Sequence, residues 1–95
     1  MPNYFLRVQL SIEERRYYTT LRKKLEAIGY TKLIVDKEGV SWRLPNGNYY
    51  VKSTRTIESV LSVTKPIVLS VDTKAQVVLV EAPKGGLMWF GLQKA

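Results

Sequence analysis

Apolar and polar residues alternate from Tyr4 to Leu10, with Tyr4, Leu6, Val8 and Leu10 on one side and Phe5, Arg7 and Gln9 on the other. A period of two is the pattern of a half-buried strand, so this segment predicts strand 1. The period then lengthens. Tyr18, Leu21, Leu25 and Ile28 recur at helical steps and predict a buried stripe. Ser11 and Glu14 stand before it at capping-box spacing, and Gly29 follows as a left-handed stop. Residues 31–35 read as strand 2 and Asp36-Lys37-Glu38-Gly39 as a turn. Residues 40–52 read as strand 3 interrupted by Pro45-Asn46-Gly47, or as a hairpin of their own.

Residues 54–71 place Ile57, Val60, Leu61, Thr64, Ile67, Val68 and Val71 at helical spacing, with Thr54 or Thr56 as the cap. Pro66 lacks a backbone donor and clashes with the preceding turn, at about 3 kcal/mol. A kinked helix is therefore expected, with a strand over 67–71 as the alternative. Residues 76–81 read as strand 4, Pro83-Lys84-Gly85-Gly86 as a hairpin turn and 87–93 as strand 5. The order β-α-β-β-α-β plus a C-terminal strand predicts an α+β, ferredoxin-like fold in a single domain over 1–95. Two helices on one face of an antiparallel sheet bury both stripes and leave the other face open.

Charge adds a partner to this picture. Fifteen Lys/Arg against eight Asp/Glu give +7, and residues 1–55 hold eleven of the basic and five of the acidic groups. A basic half-surface concentrates phosphate polymers, so the expected partner is a nucleic acid, RNA and single-stranded if unpaired bases stack on a sheet face. Solubility alone and an anionic membrane or protein surface are the competing accounts. The chain has no Cys and no His, which removes disulfides, thiolate and imidazole metal sites, and imidazole acid–base pairs. Glycine-rich phosphate loops are missing too. Asp36 and Glu38 offer oxygen to Mg²⁺, but a turn of alternating charge is more often solvated, so neither metal nor cofactor is expected. No apolar run reaches about 18 residues and no signal pattern opens the chain, so no membrane contact and a cytoplasmic location are expected.

The candidate binding residues follow from the strand pattern. Phe5 and Arg7 stand on the open face, joined from strand 3 by Tyr50 and Lys52, or alternatively by Tyr49 and Val51. A ring beside a cation on a sheet stacks unpaired bases and holds phosphates. Arg15 and Arg16, with Arg22 and Lys23, lie off the helical stripe. Arg43 and Arg55 flank strand 3 and offer guanidinium forks to phosphate. The competing use of the open face is a homodimer interface. Trp42 and Trp89 are read as packing residues before stacking ones.

The spacing of Gly29-Tyr30, Leu44-Pro45, Tyr49-Tyr50, Thr54-Arg55 and Trp89-Phe90-Gly91-Leu92, with the length and element order, resembles the GhoS family of small ferredoxin-like proteins. The resemblance implies an endoribonuclease antitoxin of a bacterial toxin–antitoxin system, acting on messenger RNA, with a fold similar to that of small CRISPR-associated nucleases. Those nucleases carry an acidic residue at the end of strand 1, where this chain has Gln9-Leu10-Ser11. The chemistry left is metal-independent attack of a ribose 2′-OH on its phosphate. Arg7, Arg43 or Arg55 would stabilise the phosphorane, and a carboxylate or tyrosine would accept the proton. The expected function is an RNA-binding regulator with this activity; the alternative is a non-enzymatic, homodimeric module that binds nucleic acid or protein.

Overall fold

A computed structural model describes residues 2–82 and 91–95. The chain is α+β, with two helices and two small antiparallel sheets. Its elements are β1 (Asn3–Gln9), α1 (Arg15–Glu26), β2 (Leu33–Val35), β3 (Ser41–Arg43), β4 (Asn48–Lys52), α2 (Ile57–Val71), β5 (Gln76–Ala82) and β6 (Gln93–Lys94). One sheet has the order β4-β1-β5 and the other β2-β3-β6. Two backbone bonds between Thr31 and Tyr50, of 2.8 and 2.9 Å, join them.

Strand β1 is central, flanked by β4 and β5, and the helices cover one of its faces. Tyr4, Leu6, Val8 and Leu10 are buried, as the alternation predicts. They share one core with Leu21 and Leu25 of α1 and Val60 and Val68 of α2, which puts both helices on the same side of β1. Tyr18 and Ile28 pack at its margin. Gly29 adopts φ +104° and ends the helical path as expected.

The start of α1 differs from the capping-box expectation. The helix begins at Arg15, and the Glu14 side chain makes no cap bond. Ser11 instead donates its backbone N–H and its hydroxyl to Asp72 Oδ2, at 2.6 and 2.7 Å. Asp72 thus takes the Ser11 N–H that the Glu14 carboxylate was expected to accept, and these bonds tie the β1–α1 loop to the C-terminal end of α2. At the start of α2, Thr56 takes the cap role, its hydroxyl accepting from Ser59 N–H at 3.2 Å. The helix continues through Pro66 to Val71, which excludes the strand alternative over 67–71. Pro66 sits on the exposed side, where water can satisfy the Ser62 carbonyl that has lost its donor.

Residues 40–52 form neither one strand nor a hairpin. β3 pairs with β2, and β4 pairs with β1. Gly47 is the reason for the break. At φ +81° its backbone passes so close to β1 that a Cβ would meet the Val8 carbonyl oxygen at 2.5 Å, and Val8 N–H donates to the Gly47 carbonyl at 2.7 Å. The C-terminal strand is also placed differently from the expectation. Gln93 and Lys94 pair with β3, whose second edge is otherwise without a ladder partner among the described residues. The expected turn at 83–86, the first part of strand 5 and Trp89 lie outside the described residues. No helix among the described residues is long and apolar enough to cross a membrane.

Candidate nucleic-acid interface

The register of β1 assembles a surface on the side away from the helices. Phe5 lies between Tyr50 of β4 and Val80 of β5, and Arg7 lies between Asn48 and Val78. Lys52 is opposite Asn3 at the end of the strand. Directly opposed residues of antiparallel strands share a face, so these side chains form one patch. Val78 and Val80 are 59% and 50% exposed, so among the described residues the face is open. Arg7 and Lys52 are exposed, whereas Phe5 and Tyr50 are half-buried among their neighbours. Of the two pairs that the sequence left open, Tyr50 and Lys52 are on this face; Tyr49 and Val51 belong to the core. Burial raises the Tyr50 phenol above its ordinary range, so it remains a hydrogen-bond donor at neutral pH. Within the paired strands no described residue pointing to this face is acidic; at its end Gln9 donates its side-chain amide to the Glu13 carboxylate.

A second site lies on the helix side of β4. A cleft of about 730 Å³ is lined by Arg15, Tyr18, Thr19, Arg22 and Glu26 of α1, and by Thr31, Lys32 and Leu33 at β2. Arg43, Asn46 and Tyr49 complete it. Lys32 Nζ donates to the Pro45 carbonyl at 2.8 Å and stands 5.1 Å from the centre of the Tyr49 ring. Burial holds the Lys32 amine below the usual lysine range, and the Arg22 and Arg43 guanidiniums push it further down; Glu26 opposes the shift. Tyr49 is pushed up to about 12, chiefly by burial, with Tyr18 and Glu26 adding and Arg22 opposing. Arg22 reaches Glu26 at 3.8 Å, an exposed pair one helical turn apart.

The eight residues proposed from sequence therefore fall into three places. Phe5, Arg7, Tyr50 and Lys52 come together on the open face. Arg15 and Arg43 come together in the cleft. Arg16 and Arg55 join neither. Arg16 pairs with Glu14 at 2.9 Å and lies over the Tyr17 ring at 5.0 Å. Arg55 donates to the Ser59 hydroxyl at 3.3 Å, and its carbonyl accepts from Tyr4 Oη at 2.6 Å. Sequence reasoning passed over Lys32, although its parity with the buried Ile34 marks it as turned toward the helices. It also passed over Val78 and Val80, where a β5 that is apolar on both faces was the signal.

Asp36, the sequence candidate for an Mg²⁺ ligand, serves the β2–β3 turn. One oxygen accepts from the Glu38 and Val40 N–H groups and the other from Trp42 Nε1, all at 2.9–3.0 Å. The Trp42 bond, followed by that from Val40, holds its carboxyl below the usual range. Among the described residues, no three acidic side chains stand close enough together to hold a metal. No protein-family model matches the chain, and no curated relative matches it.

Proposed function

We propose that this chain is an RNA-binding module that takes single-stranded RNA on the open face of the β4-β1-β5 sheet, within a ferredoxin-like arrangement. The observation that carries the reading is the cross-strand pair Phe5–Tyr50 with Arg7 two residues along the same strand face. Two rings held by the sheet offer platforms to successive bases, and Arg7 and Lys52 supply charge to the backbone on either side. The ferredoxin-like arrangement is supported by the central place of β1 and by the Thr31–Tyr50 bridge, which brings β2 alongside β4. A regulator acting on messenger RNA, as the GhoS-like resemblance implies, would use such a face to hold its target.

The chemistry of the face favours binding without cleavage. Attack by a 2′-OH needs a proton acceptor; around Phe5, Arg7, Tyr50 and Lys52 the strands supply only amides, cations and a phenol that burial keeps protonated. The Glu13 carboxylate at the Gln9 end of the face is already engaged by the Gln9 amide. A second reading has its own observation. Val78 and Val80 are exposed beside Phe5 and Tyr50, and such an apolar face also suits a second copy of the chain. Labelled single-stranded RNA, incubated with and without EDTA and run on native and denaturing gels, separates these readings. A shifted, intact strand is expected at low salt. Cut RNA would overturn the binding-only reading, and a stable dimer that binds no RNA would favour self-association.

A further inference from the structure

Four cations converge on the cleft between α1 and β2, with one carboxylate among them. Arg15 and Arg22 are seven residues apart on α1 and so face the same way, two turns distant. Lys32 lines the cleft beside the Tyr49 ring, and Arg43 reaches it from β3. Glu26 offsets one charge, which leaves a local excess of +3. These groups cannot neutralise one another, and Lys32 is half removed from water in the field of two guanidiniums. Such a site is electrostatically unfavourable when empty and is relieved by an anion.

The charge and size of the cleft narrow the anion. An internal phosphodiester carries one negative charge, whereas a terminal phosphate monoester carries about 1.5 to 2 at neutral pH and three strong acceptor oxygens. The monoester matches the excess charge better, and guanidinium forks suit its oxygens. About 730 Å³ exceeds what one phosphate fills and falls in the range of pockets for small molecules, leaving room for the attached sugar and base. The Tyr18 ring lies along the wall as an apolar surface for them.

We propose that this cleft is a binding site for a terminal phosphate monoester, carried either by a free mononucleotide or by the end of an RNA strand. It lies on the opposite side of β4 from Phe5 and Tyr50, and the proposal does not rest on the sheet face binding RNA.

The test compares one labelled RNA octamer in three forms, with a 5′-phosphate, with a 3′-phosphate and with neither, alongside AMP and adenosine. Affinities are measured by anisotropy and calorimetry at low salt. At least one phosphorylated form, or AMP over adenosine, is expected to bind about tenfold tighter than its unphosphorylated counterpart. Preference for AMP identifies a free nucleotide as the source; preference confined to an octamer identifies the strand end. Arg15→Gln with Arg43→Gln should abolish the preference and leave the unphosphorylated octamer near its original affinity. Both side chains are exposed, so this variant is expected to fold, which circular dichroism checks. Lys32→Gln should act likewise, and Lys32→Arg should restore part of the preference. Equal binding of all three octamers with no gain of AMP over adenosine would overturn the proposal, as would a preference that survives the double substitution. Loss of unphosphorylated binding with AMP still bound would fail the sheet-face reading and leave this one standing.

Discussion

The open sheet face and the α1–β2 cleft flank the same strand, β4, yet present opposite chemistry. On one side Tyr50 sits beside Phe5 and two exposed valines, with Arg7 and Lys52 spaced along the strands. On the other side Tyr49 forms a wall among Arg15, Arg22, Lys32 and Arg43. The face offers surface to stack on and little concentrated charge. The cleft offers concentrated charge and partial exclusion of water. The difference shows how two adjacent tyrosines, turned to opposite faces by the strand's period of two, can serve different ligands. Stacking is insensitive to salt, whereas charge in a cleft responds to salt and pH.

The largest effect is expected where the two regions share a support. Gly47 holds the turn that leads into β4 and passes against the Val8 carbonyl. Gly47→Ala adds a left-handed non-glycine residue and a steric clash, which together should destabilise the fold by about 3 kcal/mol in a denaturant titration. Both regions should fail together in this variant. Next in size, Phe5→Ala with Tyr50→Ala should weaken single-stranded RNA binding by roughly tenfold or more, since base stacking on an aromatic contributes about 1–3 kcal/mol per base. The slope of log affinity against log salt should hardly change. Arg7→Ala should instead lower that slope by about one unit with a smaller loss of affinity.

A smaller effect should separate the regions by pH. Lys32 has a folded-state value below its unfolded one, so its charged form is disfavoured in the fold. Its contribution to stability rises as pH climbs from the folded value toward the unfolded value. Anion binding in the cleft should therefore fade at a lower pH than exposed lysines titrate, while RNA binding by the face persists; titrating AMP and the unphosphorylated octamer across alkaline pH checks this. Asp72 behaves in the opposite sense. The Ser11 hydroxyl, with the Lys74 and Ser11 N–H groups, holds its carboxyl low, so its contribution is present above the unfolded value and lost as pH falls through the folded one. Asp72→Asn should flatten that part of an acid unfolding curve and alter neither ligand's binding at neutral pH.

Much of this organisation was legible in the chain. The alternation of Tyr4, Leu6, Val8 and Leu10 against Phe5, Arg7 and Gln9 gives both faces of β1, because a central strand covered on one side must alternate. The stripe of α1, the left-handed Gly29 and the helix over 57–71 were equally local. What stayed hidden depended on distant partners. Ser11 has capping-box spacing, but Asp72, 61 residues away, takes its donors. The Pro45-Asn46-Gly47 interruption is visible locally, but that the segments on either side of it pair with different strands, β3 with β2 and β4 with β1, is not. For the same reason the cleft was only half visible. Arg15 and Arg43 can be picked out as cations, but their meeting with Lys32 requires α1, β2 and β3 to be placed together.

The most direct test of the sheet-face account is the anisotropy of a labelled, unphosphorylated single-stranded RNA titrated with wild type and with the Phe5→Ala/Tyr50→Ala variant at two salt concentrations. The account predicts saturable binding by wild type and a loss of roughly tenfold or more in the variant at both salts, with unchanged circular dichroism. Equal affinity of the two folded proteins for that RNA would contradict it.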